Sequence, residues 1–266
     1  THKAKSQSIK TILQKCTAAN YRFGMSGTIP KEGTLDRLTL MAYTGPIITS
    51  IRADFLMKQG HITPCEVYAI EMDYAPKEVK DGFKNLHQRS EEDRKKLLNL
   101  EQNYAIQSEA RLEFITDMIL KNKKNSLVLF YRIEYGNKIY DRLREKTNRR
   151  VFYIDGGTDK ELREKQKELL EDGEGKIMIA SYGTFSTGIN VTNIHSIYLT
   201  ESFKSEVIIR QSIGRGLRKH ATKDKLLIID FVDDYRAGRF KNYLYKHSIA
   251  RQEIYKEQNF PFRIKN

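Results

Sequence analysis

Tryptophan is absent from this 266-residue chain, cysteine occurs twice and proline five times. Cys16 and Cys65 are too few and too isolated for a disulfide framework or a zinc site, and they are read as two reduced cytosolic thiols. No stretch approaches the roughly 18 to 20 apolar residues that a membrane span needs. The opening Thr1-His2-Lys3 carries neither an initiator Met nor the charged-then-apolar pattern of a signal peptide, so the chain is expected to be a piece of something longer. Two phosphate-binding signatures are missing as well. The nearest approach to a GxxxxGK[ST] loop, GEGK at 173–176, has the wrong spacing and precedes a strand pattern rather than a helix. No DExD or DExH stands at a strand end, since EEDR at 91–94 sits in a charged helical stretch. Without a loop that cradles phosphates and an acid that binds Mg²⁺, the chain is not expected to hydrolyse a nucleotide alone. A GxGxxG loop after the first strand, as a methyltransferase-like enzyme would want, is absent too.

Positive charge is what the chain has in excess. Lys and Arg number 47 against 34 Asp and Glu, a formal +13, which favours a polyanionic partner, nucleic acid first. Residues 5–19 read as a helix, YRFGMS (21–26) as a strand, 34–42 as a helix, RADFLMKQG (52–60) as a short helix closed by Gly60, and CEVYAIEMDY (65–74) as a strand. Residues 76–124 are charged and helical with no strand signal, a helical excursion whose safer reading is a solvated insertion. A regular series follows: strand SLVLFY (126–131), helix 135–146, strand VFYID (151–155), helix 159–171, strand KIMIAS (176–181), strand SIYLT (196–200), helix 205–219 and strand KLLIIDFV (225–232). Apolar strands separated by helices indicate an α/β domain with a parallel sheet covered on both faces. Residues 1–65 hold too few strands to close a sheet and read as the back end of another α/β domain. Residues 234–266 read as a basic and aromatic carboxyl-terminal helix and tail, in which basic residues from 234 to 256 interleave with Tyr235, Phe240, Tyr243, Tyr245 and Tyr255. That composition suits phosphate contact with base stacking, or an amphipathic terminal helix packed on the domain.

Ligands of open parallel sheets sit at the carboxyl ends of the strands, which directs attention to four segments. MSGT (25–28), DGGTDKE (155–161), ASYGTFSTGIN (180–190) and RQSIGRGLRK (210–219) each combine glycine with hydroxyls or cations suited to phosphate oxygens. On the 205–219 helix Gln211, Arg215 and Arg218 stand at i, i+4 and i+7, a multi-donor clamp on one face, with Gly214 leaving room beside them. Clustered arginines usually mark a solvated face. Glycines in a helix interior, however, cost about 1 kcal/mol each relative to alanine, and a merely solvated face has no use for Gly214 and Gly216. Thr158-x-x-Glu161 reads as a capping box opening the next helix, itself a ready phosphate site.

These segments resemble the motifs of the superfamily-2 helicases. Gln211-x-x-Gly214-Arg215-x-x-Arg218 is similar to the sixth motif, QxxGRxxR; Ser26-Gly27-Thr28 to the third; SLVLFYR with YIDGGT to the fourth and its companion; SYGTFSTGIN to the fifth. They fall in the family's order. YTGPIITSIRADFLMKQGHITP (43–64) resembles the bridge between domains in the branch that includes the XPB and type III restriction helicases, and bacteriophage recombination helicases are the nearest likeness.

The resemblance implies a RecA-like parallel sheet with flanking helices over 66–233, preceded at 1–65 by the truncated end of a first RecA-like, ATP-binding domain. The chain would begin just after the family's acidic motif. ATP and Mg²⁺ are the implied cofactors of the full-length protein, with none held tightly by this chain and no metal ligand assigned. Arg215 and Arg218 would reach the γ-phosphate, Arg218 as an arginine finger, while Gln211 orients the phosphate or attacking water. Gly188, Asn190 and Gly214 would approach the nucleotide, Asn190 standing where many relatives have Asp for the ribose. Ser181, Thr184, Gly157, Thr158, Tyr131 and Arg132 would hold the nucleic-acid backbone, and Ser26, Gly27 and Thr28 would couple hydrolysis to strand movement. The implied activity is that of an ATP-dependent DNA helicase or translocase. It would remodel Holliday junctions, stalled forks and RNA–DNA hybrids in recombination, repair and replication, in the cytoplasm of an infected bacterial host. A nucleic-acid-binding or regulatory module with a helicase-derived fold and no motor function is the alternative.

Overall fold

The computed structural model describes residues 7–265 apart from 22, 27–28, 31, 189–190 and 203–204, and only the backbone of 186–188. The chain divides into two compact units, Thr1–Arg52 and Ala53–Asn266, so the short helix expected to close the first segment belongs to the second unit.

The first unit contains α1 (Gln7–Lys15) and α2 (Leu35–Thr44), joined by a hydrogen bond from Gln14 Nε2 to the Tyr43 hydroxyl at 3.2 Å. Thr34 caps α2 by accepting from the Arg37 N–H. The strand expected at 21–26 does not form among the described residues there. An extended segment is a strand only if a neighbour takes its backbone hydrogen bonds, and the described part of this unit holds no sheet. Tyr21, Phe23 and Met25 accordingly stand exposed.

Seven parallel strands make the second unit's sheet, in spatial order β3-β4-β2-β5-β6-β1-β7. They are β1 (Cys65–Met72), β2 (Ser126–Phe130), β3 (Val151–Ile154), β4 (Ile177–Ser181), β5 (Ser196–Leu199), β6 (Leu226–Asp233) and β7 (Phe262–Lys265). Period-two alternation gives the sheet two apolar faces. Leu127 and Leu129 of β2 join one core cluster, and Val128 and Phe130 join the other. The first face is covered by α8 (Lys160–Glu171), α9 (Tyr182–Gly188), α10 (Glu206–Gly216) and α11 (Tyr243–Glu257); the second by α6 (Glu109–Lys121) and α7 (Ile133–Lys146). The short α3 (Ala53–Lys58) leads into β1 through Gly60, whose φ of 69° places it in the left-handed region glycine tolerates.

Two expectations are corrected, and one of two alternatives is met. The excursion is not a solvated insertion throughout: α4 (Lys77–Arg89) and α5 (Glu91–Gln107) form a satellite core with Tyr235, Phe240 and Leu244, and α6 buries Leu112, Ile115 and Ile119 on the sheet. Of the two readings of the carboxyl-terminal stretch, the packed terminal helix is met, because α11 buries Leu244, Ile254 and Tyr255 and β7 pairs with β1. Finally, α10 stops at Gly216 rather than 219, which removes Arg218 from the helix.

Candidate functional site

Because β2, β3 and β4 are parallel neighbours, the residues that follow them meet along one edge of three adjacent strand ends, about 10 Å wide at ordinary strand spacing. Tyr131 leaves β2 with its side chain exposed. Its N–H and that of Arg132 both donate to Glu201 Oε2, at 2.6 and 3.0 Å. Glu201 follows β5 and is buried; burial pushes its carboxyl up, while those two N–H groups and the charges of Arg111 and Arg132 pull it down. The Arg132 guanidinium is held by α5, donating to Gln102 Oε1 at 2.7 Å and to Asn103 Oδ1.

After β3, Asp155–Thr158 closes a tight turn. Thr158 Oγ1 accepts from the Asp155 N–H at 2.9 Å and donates to Asp155 Oδ1 at 3.1 Å, while the Gly157 N–H donates to that same carboxylate oxygen at 2.9 Å. The capping-box expectation is corrected here: Asp159, not Thr158, caps α8, accepting from the N–H groups of Glu161 and Leu162. The Thr158 hydroxyl is already engaged in the turn, and a carboxylate is the stronger acceptor at a helix N-terminus. Gly156 and Gly157 remain exposed at the tip. After β4, Ser181 Oγ donates to Thr184 Oγ1 at 2.8 Å and accepts from the Thr184 N–H, which closes the first turn of α9. Thr184 is buried.

The arginines lie elsewhere. Strands and α10 run in opposite directions, so Gly216 arrives at the amino-end edge of the sheet. A Cβ there would meet Ile197 Cδ1 at 2.5 Å and Leu226 Cδ2 at 3.0 Å, residues that begin β5 and β6. Gly216 is therefore required by packing, and half of the sequence argument from costly helix glycines is explained structurally. Gly214 behaves differently: it is exposed, and a Cβ there would find nothing within 4 Å. Arg215 is half-buried with its guanidinium 5.9 Å from the Phe185 ring, a cation–π contact that brings α10 against α9. Burial, then the Arg218 charge, holds Arg215 below its ordinary value. Arg218 is exposed; its carbonyl accepts from Thr63 Oγ1 at 3.1 Å. Beside it opens a cavity of about 550 Å³ lined in part by Met57, Ile62, Lys219 and His220. Gln211 is half-buried one turn before Arg215. Gly188 ends α9; Asn190, Gly27 and Thr28 lie outside the described residues, and Ser26, in the first unit, stands in no helix or strand.

A half-buried and an exposed arginine beside an open glycine suit the oxygens of a polyphosphate. A divalent cation finds less here, since no group of three or more His, Cys, Asp or Glu among the described residues could hold one.

Sequence reasoning missed the buried polar supports beneath the carboxyl edge. Arg111 of α6 donates to both oxygens of Asp233 at 2.6 and 3.0 Å, to the Thr200 carbonyl at 2.7 Å and to the Tyr135 hydroxyl. Arg251 of α11 grips Asp230, which also accepts from the Tyr255 hydroxyl. Asp230 and Asp233 inside the apolar run LLIIDFVD were the available signal, because a carboxylate in a buried strand needs a buried partner.

Residues 110–220 match the helicase conserved C-terminal domain. The chain carries the carboxyl-terminal domain of a superfamily-2 helicase. It is 30% identical over 277 residues to the ATP-dependent DNA helicase uvsW of Enterobacteria phage T4, a match that covers 99% of this chain and 53% of the relative. The crystal structure of T4 UvsW superposes with a TM-score of 0.59 at 28% identity, covering 77% of this chain and 42% of that one. The chain thus spans about half the length of that phage relative. The parallel sheet is of the RecA-like kind expected from the motifs. No helix among the described residues is long and apolar enough to cross a membrane.

Proposed function

We propose that this chain is the second motor half of an ATP-dependent DNA helicase or translocase. The observation that carries this is the placement of Arg215 and Arg218 at the end of α10, beside a glycine with open space and against α9. Bound ATP with Mg²⁺ supplies the phosphoryl-transfer chemistry; this chain's part is to bring charge to it. Arg218, exposed and past the helix end, extends toward the γ-phosphate as an arginine finger, Arg215 holds the phosphate from its half-buried position, and Gln211 orients the phosphate or the attacking water. Gly188, Asn190 and Gly214 line the nucleotide, while Ser26, Gly27 and Thr28 link its hydrolysis to strand movement.

Tyr131, Gly157 and Thr158 face the nucleic-acid backbone from the carboxyl edge, Tyr131 offering a ring and Gly157 its exposed backbone. Arg132, Ser181 and Thr184 act in the same edge mainly by shaping it, since their polar groups are engaged within the protein. Branched DNA, including Holliday junctions and stalled forks, and RNA–DNA hybrids are the proposed substrates, in recombination, repair and replication. The relative's printed name, a DNA helicase, supports DNA as the polymer. Residues 1–65 take the role of the end of the first, ATP-binding domain, and the chain alone is expected to be inactive.

The test is DNA-stimulated ATP hydrolysis by this chain alone and by the full-length protein, with branched and linear DNA. Arg218→Ala in the full-length protein should lower turnover by about 10³-fold or more while DNA binding persists, the range arginine fingers occupy. Unchanged turnover removes the finger role, and a full-length protein with no turnover on any DNA removes the motor.

A further inference from the structure

The loop that continues from α9 is held from two sides by charged groups that no helicase motif includes. Lys223, between α10 and β6, is buried, and its ammonium donates to the Thr192 carbonyl at 2.8 Å and to the Gly216 carbonyl at 2.8 Å. Thr192 lies two residues after Asn190, and Gly216 is the last residue of the helix that carries Gly214 and Arg215. One ammonium therefore ties the tail of the α9 segment to the end of the arginine helix. From the opposite side the Glu171 carboxylate, at the end of α8, accepts from the N–H of Thr192 at 2.8 Å, from the N–H of Asn193 at 3.1 Å and from the Thr192 hydroxyl. The Asn193 side chain returns to the backbone of α8, donating to the Glu171 and Gly173 carbonyls at 2.9 Å each.

We propose that Lys223 and Glu171 are positioning residues for nucleotide turnover, a two-sided clamp on Thr192 that fixes the α9 tail against the Gly214–Arg218 turn. This rests on the motor reading above. Among the described residues neither side chain hydrogen-bonds to Gln211, Gly214, Arg215 or Arg218, but both hold backbone next to the proposed nucleotide site. A buried lysine is a demanding way to satisfy two carbonyls, because desolvation opposes its charge. Its charge is also well placed: the Gly216 carbonyl belongs to the end of α10, where the helix dipole favours a cation.

Burial brings Lys223 down from 10.5 to about 8, with Glu171 opposing that fall. Other titratable groups around it are His195 ahead of β5 and His220 after α10, with Lys124 and Glu174 beyond His195. Burial holds His195 below its ordinary value, so it stays neutral from pH 7 to 9. The clamp thus has its positive charge below about pH 8 and loses it as pH rises through that value.

The experiment uses full-length protein carrying Lys223→Met, Lys223→Arg or Glu171→Gln, with DNA-stimulated turnover measured from pH 7 to 9. In parallel, amide hydrogen exchange is followed across Val191–Asn193 and Gly214–Leu217. Displacing reacting groups by an ångström can lower a rate by about 100-fold, and Lys223→Met is expected to lose between about 10- and 100-fold in turnover. DNA affinity should stay unchanged, and exchange should rise in those two segments but not in β2 or β4. Lys223→Arg, which does not deprotonate, should restore turnover and flatten the decline above pH 8 that wild type shows. Turnover in Lys223→Met within twofold of wild type, or unchanged exchange in both segments, overturns the clamp. If wild type itself shows no turnover, the motor reading fails, and exchange alone decides whether the clamp exists.

Discussion

Arg111 shows how far a single side chain can be from its usual place. It is fully buried, and each of its donors is directed at a partner in β6, α7 or the loop after β5. Removing one member of such a pair leaves an uncompensated charge, so Arg111→Met should destabilise the fold by about 3 to 5 kcal/mol, read by urea denaturation. Adding Asp233→Asn should give part of that back. Glu101 of α5 is a different case: it accepts from the Leu244 N–H at 3.1 Å, while its other oxygen is buried without a partner. Burial raises it from 4.5 to about 7. The native state then holds a proton that the unfolded chain releases, so the stability from neutral Glu101 is full below pH 4.5 and is lost as pH rises through about 7. Glu101→Gln should abolish that portion of the slope, visible as a difference in Tm between pH 5 and 8. None of this was legible from composition, where Arg and Glu read as surface.

At the scale of elements the reading was closer, because period and apolar runs are local properties. All six strand patterns from 65 to 232 appear as strands, and the helices expected at 135–146, 159–171 and 205–219 differ by a few residues at their ends, while the short α9 had no expected counterpart. Failures came where tertiary partners decide. The 21–26 segment lacks a sheet to join among the described residues, Asp159 displaced Thr158 as the cap of α8, and Gly216 ended α10 against Ile197 and Leu226. The paired glycines make a test. Gly216→Ala forces a methyl into those side chains and should destabilise by about 1 to 3 kcal/mol in thermal or urea unfolding. Gly214→Ala meets open space and should stabilise the helix by roughly 0.5 to 1 kcal/mol. If the nucleotide approaches there, the same variant lowers ATP turnover, which separates the two glycines by function.

For the whole molecule, the excess of positive charge predicted a polyanion, and the helicase family accounts for one. Binding of this chain to DNA should weaken steeply as salt rises, with log K linear in log salt, because phosphate contact releases counterions. An affinity unaltered between 50 and 200 mM salt, the span over which about 10³- to 10⁵-fold is lost when six to ten phosphates are held, would remove that footing. The strand-end residues occupy one rim and the arginine turn the other, separated by the eleven residues of α10, about 16 Å of helix. On the roles proposed above, α9 is the short link between the two: it opens at Ser181 and Thr184 under the strand-end rim, and its Phe185 ring lies 5.9 Å from the Arg215 guanidinium, so a push at one end arrives at the other through a single side-chain contact, like the pin of a hinge.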